Sequence, residues 1–282
     1  MFVLCSVMLP IYVISLETAQ SRRAAITGRM KELGLAFSII EAVRGADIPV
    51  DQKTSLVSHR RRQHLGAPFS DGALGCLMSH RRAWERIRDG HIDAALILED
   101  DAVLAPAALD VLPRIAALKG RFDLINLHHT SGRPLVDIAR LSPTHALSIT
   151  RYASIGAIGY VVSRDAAERL LAVSTPGIFE VDVMMNRWWE HGLKTLVLSP
   201  SVVEEDGHGS TIGYPGVKPT WDRDRIGDRI ARDLNRKRDS VTKRLAFSRM
   251  VKSARLRLAA DAPRRAFLDL ENLDLTWLTE PN

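Results

Sequence analysis

Residues 94–101 read Ala-Ala-Leu-Ile-Leu-Glu-Asp-Asp, an apolar run that ends on three consecutive carboxylates. A run of this length fits a buried strand of a parallel sheet, whose two faces are both covered by helices. In open α/β sheets, ligands collect beyond the carboxyl ends of the strands. Each carboxylate added at a dry strand end raises the cost of ionising the next, so the triplet calls for a cation. Side chains alternate along an extended strand, which sends Glu99 and Asp101 to one side and Asp100 to the other. The competing reading is a solvated acidic turn before a helix that starts near Pro106, since acids favour a helix N-terminus.

Around this run, strand-like and helix-like segments take turns. Strands are expected at 11–16, 35–43, 122–127, 155–163 and 193–198, and helices at 19–33, 72–88, 107–118, 164–173 and 181–191. Such alternation argues an α/β domain with a mostly parallel central sheet. The polar, Arg-rich stretch 44–70 reads as a long loop or small lid. At 282 residues the chain has room for one large α/β domain and an appendage. The apolar start lacks a basic n-region, because the first positive side chain is Arg22, and Pro10 interrupts it. It is expected to be the first core strand, with residues 1–9 an extension ahead of a second possible start at Met8. Cys5 and Cys76 have no zinc-type spacing, and a reducing cytoplasm is the simplest compartment.

The charge is concentrated in a tail. Residues 1–216 carry 23 basic and 23 acidic side chains, whereas residues 217–265 carry 16 basic and 6 acidic ones. Within that stretch Ile226, Ile230 and Leu234 recur at i, i+4, as do Val241 and Leu245, the pattern of amphipathic helices. The expected organisation is a core over 1–216 and a basic, helical appendage over 217–282. A basic amphipathic segment can lie on an anionic membrane surface, and it can equally fold back on the core as a solvated helix. Nucleic-acid binding is disfavoured, since little aromatic residue is interleaved to stack on bases. Neither a G-x-G-x-x-G fingerprint after the first strand nor a Walker motif is present, which removes two common α/β functions. A nucleotide whose diphosphate is neutralised by a divalent metal on the strand-end acids remains the natural candidate.

Several ordered motifs bear on identity. They are Ile11-Tyr12-Val13-Ile14-Ser15-Leu16 followed by Arg22-Arg23, Ala42-Val43-Arg44-Gly45, Leu74-Gly75-Cys76-Leu77-Met78-Ser79-His80 with Trp84, Leu96-Ile97-Leu98-Glu99-Asp100-Asp101, Gly159-Tyr160 before Ser163 and Ala166, and Val181-Asp182. Their order and spacing over residues 10–213 resemble glycosyltransferase family 25. These are the bacterial lipooligosaccharide and lipopolysaccharide glycosyltransferases, and the procollagen galactosyltransferases are included. The resemblance implies a GT-A-like α/β sandwich, a UDP-sugar donor, usually UDP-galactose, and a glycan or glycolipid acceptor. It implies that Asp101 ligates Mn²⁺ or Mg²⁺ and that Glu99 reaches the ribose or the ion's water shell. Asp100 takes either part. Ser15, Leu16, Ser79 and His80 are implied as donor-pocket residues. One departure stands out: Ala73 occupies a position where many relatives carry an acid.

Roles for other residues stay open between two readings each. Arg22 and Arg23 open the helix after the first strand, where a guanidinium meets a phosphate well, although ordinary surface charge is the rival. Family members of assigned stereochemistry invert, so the resemblance implies a base, with Asp182 the first choice and Glu180 the second. Asp182 is also placed to cap the helix that follows. His80 is either catalytic or a packed, hydrogen-bonded histidine. His208, in Glu204-Glu205-Asp206-Gly207-His208-Gly209-Ser210, is a third candidate metal ligand beside Asp101 and Glu99, or part of a flexible acidic turn. His128 and His129 receive no role. The leading expectation is a metal-dependent hexosyltransferase at the cytoplasmic membrane face. A nucleotidyltransferase-like enzyme and a catalytically silent, membrane-associated carbohydrate-binding or assembly protein are the alternatives.

Overall fold

A computed structural model describes residues 9–118, 120–129, 132–152, 156–207, 226–260 and 275. In chain order they form β1 (Ile11–Ser15), α1 (Gln20–Glu32), β2 (Ser38–Glu41), a 3-10 turn (Gly45–Asp47), α2 (Val50–Leu56), α3 (Arg61–His64) and α4 (Asp71–Asp89). Then come β3 (Ala94–Glu99), β4 (Ala102–Leu104), α5 (Ala108–Ala117), β5 (Leu124–Asn126), β6 (Val136–Arg140), β7 (Ala146–Ile149) and β8 (Gly159–Ser163). The last elements are α6 (Arg164–Ser174), α7 (Val181–Met185), α8 (Trp188–His191), β9 (Thr195–Ser199), β10 (Val203–Glu205) and α9 (Ile226–Ala260).

Eight strands make one sheet in the order β2-β1-β3-β8-β5-β9-β7-β6. The register pairs β1 in parallel with β2 and β3, and β5 in parallel with β9. Antiparallel pairing reverses only β8 and β7, so six of the eight strands run one way and the sheet is mostly parallel, as expected. Both faces are buried because the strands alternate between two apolar cores. Ile11, Val13, Leu96, Leu98 and Val161 join one core with α1 and α5. Tyr12, Ile14, Ala95, Ile97, Tyr160 and Val162 join the other with α4, α6 and α7. Helices therefore cover both faces, giving the GT-A-like sandwich.

Caps fix where the helices begin. Ser70 Oγ accepts the Ala73 N–H at 3.1 Å to start α4, and Ser163 Oγ accepts the Ala166 N–H at 3.2 Å to start α6. The helix expected over 181–191 is broken into α7 and α8. Asn186 donates both its backbone N–H and its side-chain amide to the Asp182 carbonyl, which closes α7 early. The stretch expected to be a loop at 44–70 holds the 3-10 turn, α2 and α3. Between the strands expected at 122–127 and 155–163, where no element was expected, the chain forms β6 and β7, which extend the sheet beyond β9.

From the basic tail, residues 226–260 form the single helix α9, which packs against α3 and α8. Met250 and Ala254 enter the first core. Its first half is turned the unusual way round for a surface helix. Ile226, Ile230, Leu234, Val241 and Leu245 are all more than half exposed, while Arg232, Asn235, Asp239 and Lys243 face the body of the protein across a cavity.

The 3-10 turn and α4 touch backbone to backbone. A Cβ on Gly75 would lie 2.5 Å from the Val43 carbonyl oxygen and 2.6 Å from the Gly45 nitrogen, both main-chain atoms that cannot swing away. Gly75→Ala is therefore expected to destabilise the protein by about 1–3 kcal/mol, the usual cost of overpacking. A fall in the urea midpoint at unchanged m-value would register it, and a midpoint equal to wild type would refute the close approach.

Candidate active site

The cleft opens where the parallel strands end. Its walls come from Ser15 and Leu16 after β1, Ala42 and Val43 after β2, Glu99 at the end of β3, residues 156–158 entering β8, and residues 199–201 leaving β9. Its cavity volume is about 1250 Å³. That is above the roughly 300–1,000 Å³ of a typical small-molecule pocket, so a nucleotide sugar and part of an acceptor fit together.

The three acids sit in this cleft with different partners. β3 ends at Glu99 and the chain turns at Asp100 and Asp101 into β4, so strand alternation does not carry through the triplet. The expected grouping of Glu99 with Asp101 against Asp100 is thus corrected. Glu99 turns to α4, where its Oε1 lies 3.2 Å from His80 Nε2 and 3.9 Å from Cys76 Sγ. Asp100 and Asp101 share Arg22 from α1, at 3.2 and 3.7 Å. Asp100 also accepts the Ser15 hydroxyl at 2.6 Å. Asp101 Oδ1 is buried and has no hydrogen-bond partner among the described residues. Burial first, then the charges of Glu99 and Asp100, push the Asp101 carboxyl up to about 7. Burial likewise raises Asp100, against the pull of Ser15 and Arg22.

An orphaned buried carboxylate oxygen among acids is what a hard divalent cation relieves, so the residues fit the implied metal. Cys76, His80 and Glu99 offer ligand atoms within 4.8 Å of one another and form a second grouping able to hold an ion. Its chemistry is less apt. Burial, followed by the charges of Glu99, Asp182 and Asp101, holds the Cys76 thiol far above its ordinary range, away from the thiolate that binds metal. His80 is already engaged at both nitrogens, since Nδ1 meets the Tyr160 hydroxyl at 2.7 Å. Trp84 Nε1 donates to that same hydroxyl at 3.0 Å. His80 is fully buried, and the chain Trp84–Tyr160–His80–Glu99 orients the Glu99 carboxylate.

The other expected residues divide into those that line the cleft and those that build it. Arg22 lines it, whereas Arg23 is not among the described lining residues. Arg23 clamps the strand ends instead, donating to the carbonyls of Ser15 and Leu16 at 2.9 and 3.0 Å and pairing with Glu41. Ser79 accepts the Val43 N–H at 2.8 Å and donates to the Gly75 carbonyl at 2.6 Å, tying α4 to the segment after β2. Both carboxylates of the α7 region line the cleft. Asp182 is not the N-cap, a position held by Glu180. Asp182 Oδ1 accepts the Val183 N–H at 2.8 Å and Oδ2 the Gly156 N–H at 3.0 Å. Glu180 is engaged by the Arg61 guanidinium at 2.7 Å. His208 lies outside the described residues. Its neighbourhood is tied to the acids all the same, because Glu205 pairs with Ala102 and the Asp206 N–H reaches the Asp101 carbonyl at 3.0 Å.

Sequence reasoning passed over Arg61, Tyr160 and Trp84 as site-building residues, and gave His128 and His129 no role although both line the cleft. Tyr160 and Trp84 stood in the quoted motifs. Arg61, inside a stretch expected to be polar loop, carried no such signal.

A raised carboxylate sets the sign of a pH effect. With Asp101 near 7 in the fold and about 3.9 when unfolded, the native state binds the extra proton between these values. Stability is therefore lost as pH rises through that window, by at most about 4 kcal/mol. In chelator-treated protein, Asp101→Asn should remove this loss and raise the melting temperature at pH 8 more than at pH 5. An equal effect of the substitution at both pH values would sink the assignment.

Comparison with known proteins agrees with this geometry. The family model described as "Glycosyltransferase family 25 (LPS biosynthesis protein)" matches residues 8–185. The lipooligosaccharide biosynthesis protein lic2B of Haemophilus influenzae is 25% identical over 207 residues, covering 70% of this chain and 76% of that one. The lacto-N-neotetraose biosynthesis glycosyltransferase LgtE of Neisseria meningitidis is 25% identical over 210 residues, with 70% and 74% covered. Procollagen galactosyltransferase 1 of Danio rerio is 26% identical over 173 residues, which are 57% of this chain but 28% of the longer relative. With the family model spanning more than half of its length, from the first strand through the α7 acids, this chain belongs to glycosyltransferase family 25.

Proposed function

We propose that the protein is a metal-dependent, inverting hexosyltransferase that moves galactose from UDP-galactose to the glycan of a lipooligosaccharide or lipopolysaccharide. The observation that carries this reading is the Asp101 carboxylate, a buried acid in the turn just beyond central strand β3, with one oxygen lacking a partner among the described residues. The names of relatives in lipooligosaccharide biosynthesis and of the procollagen galactosyltransferases support the acceptor class and the sugar.

Asp101 would hold Mn²⁺ or Mg²⁺, with Asp100 and Glu99 as the neighbouring acids. Held there, such an ion would supply positive charge to offset the charge that grows on the departing diphosphate. Arg22, counter-ion to Asp100 and Asp101, puts a guanidinium beside the same leaving group. Asp182 is the better base of the two α7 carboxylates. Its partners are two neutral N–H groups, which leave lone pairs for an acceptor hydroxyl, whereas a guanidinium occupies Glu180. Asp182 takes the hydroxyl proton as that oxygen bonds to the anomeric carbon, and the electron pair of the broken bond leaves with UDP.

The outward face of α9 supports a peripheral seat on the inner face of the cytoplasmic membrane. Its exposed apolar residues are interleaved with Arg229, Lys237 and Arg238, the make-up of an interfacial helix. No helix among the described residues is long and apolar enough to cross a membrane.

UDP release from UDP-galactose should require Mn²⁺ or Mg²⁺ and fall by about 10²–10³-fold in Asp101→Asn. Asp182→Asn should lower kcat for transfer by about 10²–10⁴-fold. A folded Asp101→Asn enzyme with full turnover would falsify the metal role. For the membrane seat, sedimentation with anionic vesicles should drop about tenfold in the Ile230→Glu, Leu234→Glu double variant. Equal sedimentation of variant and wild type would remove α9 as the anchor.

A further inference from the structure

A second cavity, of about 990 Å³, lies beside the cleft on the far side of α7. Glu180 lines both, so the two spaces share a wall. The second is built by the α3 region, by Arg151 and Tyr152, by the segment from Phe179 to Trp189, and by the inward face of α9. Among the described residues its lining carries seven Lys or Arg side chains (Arg61, Arg151, Arg187, Arg232, Arg236, Lys243 and Arg244) against two carboxylates, Glu180 and Asp239.

The carboxylates are spent inside the wall. Arg61, only 2% exposed, takes Glu180 and stacks 3.8 Å over the Phe69 ring. Arg187 takes Asp239 at 2.6 Å and lies 4.0 Å over the Phe179 ring. Lys243 Nζ sits 4.7 Å from the centre of the Trp189 ring. Burial, and then the charges of Arg187, Arg151 and Arg133, lower the Lys243 ammonium, with Asp239 the opposing charge. Lys243 therefore stands among several cations, of which Arg187 is also paired with Glu190. The indole N–H of Trp189, which belongs to the lining, is buried and has no acceptor among the described residues. Cations beside the rings of Trp189, Tyr152 and Phe179 make a lining suited to an anionic group on a sugar ring.

We propose that this cavity binds an anionic substituent, phosphate or carboxylate, on the acceptor saccharide, so that the acceptor lies across α7 with its reacting hydroxyl beside Asp182. The proposal rests on the glycosyltransferase reading of the cleft. It extends that reading to residues outside the matched 8–185, since α9 supplies much of the site. It also accounts for the orientation of α9, which turns Arg232 and Lys243 inward over the cavity.

Full-length protein, titrated calorimetrically with UDP-galactose and Mn²⁺ and then, with UDP saturating the first cleft, with glucose 6-phosphate, glucuronate, glucose and inorganic phosphate, tests this. Glucose 6-phosphate and glucuronate are expected to bind at least about tenfold more tightly than glucose, and Lys243→Gln to weaken them by about tenfold, the size of one lost charge-assisted contact. Arg151→Gln serves as a second variant, and Arg249→Gln, on the exposed face of α9 outside the cavity, should bind as wild type does. UDP-sugar bound but neither anionic sugar retained overturns the acceptor site and leaves the transferase reading standing. Failure of UDP-galactose to bind with Mn²⁺ overturns the transferase reading, and the acceptor role with it. Inorganic phosphate matching glucose 6-phosphate with no response to Lys243→Gln means nonspecific anion binding and overturns the site. Anionic vesicles as the only ligand, weakened alike by Lys243→Gln and Arg249→Gln, would assign the charge to a membrane instead.

Discussion

Three carboxylates gathered at the buried end of one strand cost free energy, and much of the surrounding structure answers that cost. Glu99 is met by His80 from α4, itself held by Tyr160 on β8 and Trp84 one turn along α4. Asp100 is met by Ser15 at the end of β1 and by Arg22 at the start of α1. Asp101 is left with a single distant guanidinium and one oxygen unsatisfied. The offset is graded, and the residual deficit falls on one atom. That deficit cannot relax by moving the acids apart, because β3 is locked between β1 and β8 over nearly its whole length. The strand pairing thus keeps this electrostatic penalty at a fixed place.

The same strands that were legible in the sequence are the ones that aim these groups. Residues 11–16 and 94–99 are continuous apolar runs and could hardly be anything but buried strands, so Ser15 and Glu99 at their ends followed directly. Where the reading went astray, a period or a length was interrupted by tertiary contacts. Alternation placed Asp100 opposite its neighbours, but the chain leaves the strand at Glu99, and beyond that point period two has no force. β6 and β7 are short, and a register shift between Asp137 and Ala139 breaks the pattern of β6, so their strand character rests on pairing with each other and, for β7, with β9. The helix at 181–191 looked continuous until Asn186 spent its amide on the Asp182 carbonyl.

Arg61 illustrates a different kind of illegibility. In sequence it is one of three consecutive arginines in a polar stretch, with nothing to distinguish it from solvated charge. In the fold it donates to the carbonyls of Ala67, Pro68 and Ile178, pairs with Glu180 and covers Phe69. An unpaired buried guanidinium would be prohibitive, so each of these contacts is a condition of its burial. Long-range partners such as Ile178 and Glu180 leave no mark near residue 61, and a single sequence has no means of announcing them.

The wall between the two cavities then carries a consequence for the acids of α7. Glu180 and Asp182 stand two residues apart, yet Glu180 is bound to the Arg61 side of the wall while Asp182 is bound to Gly156 at the mouth of β8. Holding the first with a guanidinium fixes the turn that presents the second, since Glu180 is the N-cap residue from which α7 departs. α3 and α9, which touch Arg61 and its surroundings, are therefore coupled mechanically to the position of Asp182. A glycan lying across this wall would meet the charge of the α9 side and the carboxylate of the cleft side at a spacing set by one short helix, and that spacing, more than any single contact, would decide which hydroxyl arrives beside Asp182.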